Sequence, residues 1–334
     1  MTTTRLSLAL PNGHPEGRFL VIGARGQDDL SPLDRGRTEI QQGNYPDHQM
    51  LTAQGWVVAP VVEGRFDAAV VILPRSKAAA RARIAEAASR LGPGAALRVD
   101  GQKTDGIDSV LKELRALAPV DDLHSKAHGK IFRITVPSGD WLPDDWAAHA
   151  AEVVPGFVTR PGVFSADGVD PGSAMLAQVL PDRMPTRVVD LGAGWGWLSA
   201  QALSRSGLEI IHLVEADHAA LQSARDNIHD PRAHFHWADA RQFTLPEPVN
   251  GIIMNPPFHD GRSADPRIGA EFIAAAARLL TGAGRLWMVA NRHLPYETVL
   301  ADHFAQVREM HGDARFKVIE ATGAGRGAAR KGWR

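Results

Sequence analysis

Short apolar runs alternate with Ala-rich stretches of helical spacing along most of the chain. Residues 57–62, 68–73, 96–99, 187–191, 210–214, 251–254 and 285–290 are mostly apolar and are predicted to be short buried strands. Between them, residues 75–91, 198–205, 218–228 and 270–280 carry the spacing of helices that bury one face. Strands that are uniformly apolar, rather than alternating, belong to parallel sheets covered on both faces. The pattern therefore predicts α/β architecture.

The order of elements repeats. In the second half, Gly251-Ile-Ile-Met-Asn-Pro-Pro-Phe258 precedes a helix, then Leu280-Thr-Gly-Ala-Gly-Arg-Leu-Trp-Met-Val-Ala-Asn291, then Ala314-Arg-Phe-Lys-Val-Ile-Glu320. In the first half, Ala68-Ala-Val-Val-Ile-Leu-Pro-Arg75 precedes a helix, then Leu91-Gly-Pro-Gly-Ala-Ala-Leu-Arg-Val-Asp-Gly101, then Gly129-Lys-Ile-Phe-Arg-Ile134. Two copies of one α/β domain account for this order. The linker is expected within residues 137–155, where four prolines and glycines surround Trp141 and Trp146. The expected division is 1–145, 146–321 and a tail, 322–334, that carries Arg326, Arg330, Lys331 and Arg334 without an acid and is expected to be flexible.

Two domains also suit a length of 334 residues, and 44% hydrophobic with 22% charged residues excludes a disordered polyelectrolyte. The absence of cysteine excludes disulfides, Cys-ligated zinc or iron–sulfur sites and thiol catalysis. The first 11 residues hold no long apolar stretch, so a secretory signal is not expected, and no apolar run reaches membrane-span length. A net charge of −1 argues against a uniformly basic nucleic-acid binder. It leaves room for a local basic face, with Arg75, Lys77, Arg81, Arg83 and the tail as candidates and a shallow salt dependence as the consequence. Histidine pairs at 124/128 and at 234/236 lack a third ligand, so no metal site is expected. The polar stretch Gln41-Gln-Gly-Asn-Tyr-Pro-Asp47 reads as a structural loop.

The chemistry concentrates in the second half. Val188-Val-Asp-Leu-Gly-Ala-Gly-Trp-Gly-Trp-Leu198 is a strand, a glycine-rich turn and a helix start. Gly192, Gly194 and Gly196 let a ligand approach the backbone. Their spacing is neither the dinucleotide fingerprint nor a P-loop, and a tight strand–helix connection is the plain alternative. The next strand ends at Glu215 and the one after at Asp239. A carboxylate at the second strand tip can accept both hydroxyls of a ribose, and one at the third can accept an adenine amine. Each acid singly reads equally well as a helix cap. Three in series, with Asp190, point to an adenosine-containing cofactor. After the next strand comes Asn255-Pro-Pro-Phe258. Its prolines fix the backbone and withhold N–H donors, its carbonyls and the Asn carboxamide accept, and Phe258 offers a flat face. That set suits the exocyclic amine of a nucleobase, against a Pro-capped turn with a core Phe.

Together these motifs resemble the S-adenosylmethionine-dependent methyltransferases that modify exocyclic amines. Pro161-Gly-Val-Phe-Ser-Ala-Asp-Gly-Val-Asp-Pro-Gly-Ser173, Asn255-Pro-Pro-Phe-His-Asp-Gly261, Val289-Ala-Asn-Arg-His-Leu-Pro-Tyr296 and Arg315-Phe-Lys-Val318 look like the guanine-N2 methyltransferases of 16S ribosomal RNA. The likeness covers nearly all of 156–320 and is looser in the first half, resting there on the repeat and on Val99-Asp-Gly-Gln-Lys-Thr-Asp-Gly-Ile-Asp108. It implies two tandem Rossmann-like methyltransferase domains, the first degenerate: Leu73-Pro-Arg75 stands where the second copy has Asn255-Pro-Pro257, and Val21-Ile-Gly-Ala-Arg-Gly26 lacks the acid–glycine pattern. It implies S-adenosylmethionine as cofactor, with Asp190, Gly192, Ala193 and Gly194 at its methionine end. Glu215 and Ala216 would lie at the ribose, Asp239 and Ala240 at the adenine, and Phe164 and Ser165 would close over it. Asn255, Pro256 and Pro257 would hold the guanine amine, Asn255 also bordering the cofactor, with Phe258 stacked on the base. His259 is a further substrate-contact candidate, and Trp195 and Trp197 depart from the family turn and are expected to pack against the sheet. The implied partner is ribosomal RNA in the small subunit, in the cytoplasm, bound by a monomer. Other nitrogen acceptors (23S guanine N2, adenine N6, a protein glutamine) and a non-catalytic assembly role remain alternatives.

Overall fold

The computed structural model describes residues 4–325 except 258, 261–262 and 265. The chain divides into two compact units, one of residues up to 150 with 160–162, the other of 151–159 with 163 onward. In the first, α1 (Arg5–Ala9), β1 (Phe19–Ile22), β2 (Thr38–Gln41), α2 (Tyr45–Ala53), β3 (Val57–Ala59), β4 (Phe66–Ile72), α3 (Lys77–Ser89), β5 (Leu91–Gln102), α4 (Ile107–Arg115), β6 (Val120–Lys126) and β7 (Gly129–Thr135) follow one another. In the second, a hairpin of β8 (Ala151–Val154) and β9 (Phe157–Thr159) precedes α5 (Pro171–Val179), β10 (Arg187–Leu191), α6 (Trp197–Leu203), β11 (Ile210–Glu215), α7 (His218–Asn227), β12 (Ala233–Trp237) and β13 (Val249–Met254). It closes with the short pair β14 (His259–Asp260) and β15 (Ser263–Ala264), α8 (Pro266–Leu279), β16 (Leu280–Asn291), α9 (Tyr296–His303), β17 (Phe304–Gly312) and β18 (Phe316–Ala324).

Each unit is built on a seven-stranded sheet, ordered β3-β2-β1-β4-β5-β7-β6 in the first and β12-β11-β10-β13-β16-β18-β17 in the second. The two orders are the same when strands are matched in sequence, which is the repeat expressed as topology. In both sheets the penultimate strand, β7 or β18, runs antiparallel to its neighbours. The central strands are buried on both faces, as their unbroken apolar runs require. Val189, Leu191, Ile252 and Met254 face one layer with Ile273 and Leu286, while Val188, Ile211 and Ile253 face the other with Leu176 and Val289.

The copies differ where chemistry would sit. All four residues of β1 are apolar and at most 2% exposed, with no acid at the place β10 holds. The corner after β4 starts with Leu73, 1% exposed, instead of a carboxamide. The first domain is a degenerate copy.

Two expectations change here. The basic residues of α3 do not form a bare face. Lys77 Nζ and Arg81 Nη2 lie 2.5 and 3.0 Å from the Glu113 carboxylate. The Arg81 guanidinium also sits 5.3 Å over Trp146, and Arg83 Nη1 donates to the Ile72 carbonyl at 2.9 Å. The acid that pairs with Lys77 and Arg81 comes from α4, more than 30 positions away, so the run of bases could not reveal it. The stretch 41–47 is also not simply loop, because Asn44 caps α2 and Tyr45–Asp47 form its first turn.

Candidate active site

The site gathers at the carboxyl ends of the strands of the second sheet, where open α/β folds bind ligands. The chain leaves β10 through three glycines with positive φ: Gly192 at 78°, Gly194 at 56° and Gly196 at 87°. At Gly194 the space that a side chain would take is open, which is what a ligand lying on the backbone needs. At Gly196 it is filled, since a Cβ would stand 2.9 Å from Ile228 and 3.1 Å from the Ala224 Cβ. Gly196→Ala combines that crowding with an unfavourable φ and should cost about 1–3 kcal/mol. A thermal midpoint equal to the wild type would refute this.

Asp190 is 1% exposed and accepts from Ser199 Oγ at 2.7 Å. Burial pushes its carboxyl up to about 7. Glu215 accepts from the backbone of Gly194 through one oxygen and of Asp217 through the other, both at 2.8 Å, so it ties the second strand tip to the glycine turn. Burial pushes Glu215 up to about 7 as well, with Asp217 adding to it. The cap of α7 is Asp217, not Glu215, which separates the two roles an acid there could have.

Asp239 is 8% exposed, and its carboxylate lies in the fork of Arg241, with contacts of 2.8 to 3.1 Å. Arg241 is held in turn by Glu271 at 3.1 Å. The Arg241 fork was not foreseen. Its signal is an Asp-x-Arg spacing, too common to single out. The carbonyl of Ala216 receives the Trp237 indole N–H at 2.9 Å, and Ala240 is 5% exposed beside Asp239.

A cleft opens against β10 and is walled by Phe164, Ser165, Asp190, the turn from Gly192 to Gly194, and Asn255. Asp170, Ser173, Val169, Trp195, Trp197 and Leu198 complete the wall. Phe164 is 57% exposed, and Ser165 is held at φ 54° with its hydroxyl donating to the Gly168 carbonyl. Asn255 donates through Nδ2 to Asp170 at 2.8 Å and to Ser173 Oγ at 2.9 Å. These two partners were also unforeseen, although Asp-Pro-x-Ser is a recognisable helix start. Pro256 is buried and Pro257 exposed, while Phe258 and the side chain of His259 lie outside the described residues.

Trp195 is 4% exposed, packs with Val163 and Ala220, and meets Phe157 edge-on at 5.7 Å. It fastens the β8–β9 hairpin to the glycine turn. His234 and His236 lie beside His212, whose Nδ1 is 2.9 Å from His236 Nε2. Burial lowers His212 to about 4, with its histidine neighbours adding to the shift, so His212 is neutral at physiological pH.

Residues 155–320 match the family described as methyltransferase small domain, and residues 15–146 match its N-terminal companion. The ribosomal RNA small subunit methyltransferase C of Hahella chejuensis is 30% identical over 92% of this chain and 95% of its own length. The enzyme of the same name from Shewanella amazonensis is 31% identical over 76% of each chain. The solved structure of the T. thermophilus 16S rRNA N2 G1207 methyltransferase, in complex with AdoMet and guanosine, superposes with a TM-score of 0.79 at 25% identity, covering 95% of this chain and 91% of that one. The repeated sheet, the acid-bearing strand tips and these relatives agree, and the chain belongs to the ribosomal RNA small subunit methyltransferase C family.

Proposed function

We propose that this protein transfers a methyl group from S-adenosylmethionine to the exocyclic N2 amine of a guanine in 16S ribosomal RNA. The orientation of the Asn255 carboxamide carries the reading. Both of its N–H bonds are given to the start of α5, so the group it offers to a ligand in the cleft is the carbonyl oxygen. A neutral acceptor is what an exocyclic amine requires. The amine lone pair is delocalised into the ring, and accepting its hydrogens returns electron density to nitrogen. Pro256, followed by Pro257 with no N–H of its own, supplies a second carbonyl for the other hydrogen. Phe258 follows as the stacking partner of the base, which reaches it unpaired or flipped out of its helix.

The cofactor suits the rest of the cleft. Open space at Gly194, the Asp190 carboxyl behind it and Glu215 at the second strand tip fit a positively charged methionine end followed by a ribose. Gly192 and Ala193 extend that wall, Ala216 and Ala240 flank the strand tips, and Asp239 serves the adenine amine from within the Arg241 fork. Phe164 and Ser165, in the wall of the same cleft, would close over the cofactor. When bound, S-adenosylmethionine supplies the methyl group as an electrophile. The protein contributes orientation and activation of the amine.

Asp190, in the cleft wall, and Glu215, at the second strand tip, both sit near 7. They must lose their protons to receive a cationic ligand and ribose hydroxyls, so binding is favoured as pH rises through that value. The dissociation constant should fall about a hundredfold between pH 6 and pH 8, about tenfold for each carboxyl, by linkage. Titration calorimetry giving the same constant at both pH values would contradict this.

We assign the substrate to the small subunit, with the first domain (1–145) as scaffold and RNA grip and the second (146–321) as the catalyst; of the expected tail, residues 322–324 belong instead to β18, paired with β16 and β17, and 326–334 lie outside the described residues. Two fused copies give one chain the extent of a dimer, which favours a monomer. The site of action is the cytoplasm, and among the described residues no helix is long and apolar enough to cross a membrane. Tritium-methyl transfer run in parallel on 30S subunits, 50S subunits, naked 16S rRNA, DNA and protein tests the acceptor class. Label in 30S subunits or naked 16S rRNA alone is expected. Label only in 50S subunits, DNA or protein would overturn the assignment.

A further inference from the structure

We propose that Asp170 and Ser173 are positioning residues for the methyl acceptor, fixing the Asn255 carboxamide in one orientation and polarising its oxygen through the charge of Asp170. The inference rests on the methyl-transfer reading of this cleft.

An Asn side chain has two nearly isosteric orientations, and only one presents an acceptor to the substrate. Here the choice is decided by chemistry. Asp170 Oδ2 accepts from Asn255 Nδ2 at 2.8 Å and from the Ser173 backbone N–H, also at 2.8 Å, while Ser173 Oγ takes the second Asn255 contact at 2.9 Å. Turning the amide over would aim its oxygen at a carboxylate oxygen that cannot donate. The start of α5 is built to keep the acid there. Asp170 is the N-cap and Pro171 the first helical residue. A Cβ at Gly172 would come within 3.0 Å of the same Asp170 oxygen and 3.3 Å of the Phe316 ring. Each residue of Asp170-Pro-Gly-Ser173 thus has a stated part in holding one oxygen against one amide nitrogen.

The charge matters beyond orientation. A hydrogen bond to an ionised acceptor is about twice as strong as a neutral one, and it shifts electron density within the amide toward its oxygen. That oxygen is where positive charge arrives as the substrate amine becomes alkylated. The same geometry accounts for Asn rather than Asp at position 255. A carboxylate there would place two acid oxygens at hydrogen-bond distance, where both cannot be ionised.

Asp170→Asn tests the charge, because Asn is an equally good helix cap and its oxygen can keep both contacts. We expect kcat on the RNA substrate to fall about tenfold or more, with the S-adenosylmethionine dissociation constant and the thermal midpoint nearly unchanged. The pairing is tested by a cycle. Asn255→Asp should lower both activity and thermal midpoint. Adding Asp170→Asn should recover part of both, since it removes one of the two negative charges that face each other across this contact. A merely structural Asp170 predicts that the two changes add. A kcat within twofold of wild type for Asp170→Asn would overturn the polarising role, and additive losses in the cycle would overturn the pairing. Failure of the functional reading looks different: the wild-type protein labels no guanine, while the thermal midpoints of the cycle still report on the pair.

Discussion

Asn255→Ala is expected to lower kcat at least about a thousandfold while changing the S-adenosylmethionine dissociation constant less than about threefold. Removing one preorganised polar contact at a reacting group typically costs two to three orders of magnitude in rate. The loss here is at the upper end, because the carboxamide both holds the amine and activates it. Asn255 borders the cofactor cleft, but the contacts that position the glycine turn run through Asp190, Glu215 and Ser199. Those contacts are untouched by the substitution, so the defect should appear in turnover and not in cofactor affinity. Single-turnover transfer to 30S subunits, paired with calorimetric binding of the cofactor, separates the two. A variant that binds tenfold more weakly and turns over normally once saturated would move Asn255 from substrate to cofactor.

Glu215→Ala should produce the opposite pattern, a fall of about two hundredfold or more in S-adenosylmethionine affinity. Its carboxylate accepts from Gly194 and Asp217 at 2.8 Å each and keeps lone pairs for a ribose diol. Truncation removes the acceptor for the ribose and also releases the backbone N–H of the glycine turn. Two lost hydrogen bonds to a charged group amount to about 3 kcal/mol or more. Glu215→Gln distinguishes these contributions, since the amide keeps the size but turns one donor toward a backbone donor. It should fall between wild type and Glu215→Ala. Equal affinity for all three proteins would mean that the ribose lies elsewhere.

Much of this was legible from residue patterns, for physical reasons that can be named. Parallel strands buried on both faces leave mostly apolar runs, so β10, β11 and β13 stand out in the chain. An acid in or at the end of such a run has no packing reason to be there, which made Asp190 and Glu215 conspicuous, while Asp239 follows the less buried β12 and stood out only in series with them. The shared order of the two sheets was likewise visible as a repeated succession of turns. What stayed hidden were partnerships across long sequence separations. Asp170 and Asn255 are 85 positions apart, and only folding brings α5 against the end of β13. Glu113 reaches Lys77 and Arg81 of α3 in the same way. The Arg241 fork on Asp239 is local but has no distinctive spacing. Sequence periodicity reports which groups face a core. It says little about which polar groups find each other at its rim.

The central claim is the identity of the methylated atom. The most direct measurement is to incubate 30S subunits with the wild-type protein and isotopically labelled S-adenosylmethionine, digest the 16S rRNA to nucleosides, and identify the labelled species by mass spectrometry, with Asn255→Ala in parallel. A single labelled product, N2-methylguanosine, absent with Asn255→Ala, is predicted. Label in N6-methyladenosine or in a ribose methyl group, or equal N2-methylguanosine from the variant, would contradict it.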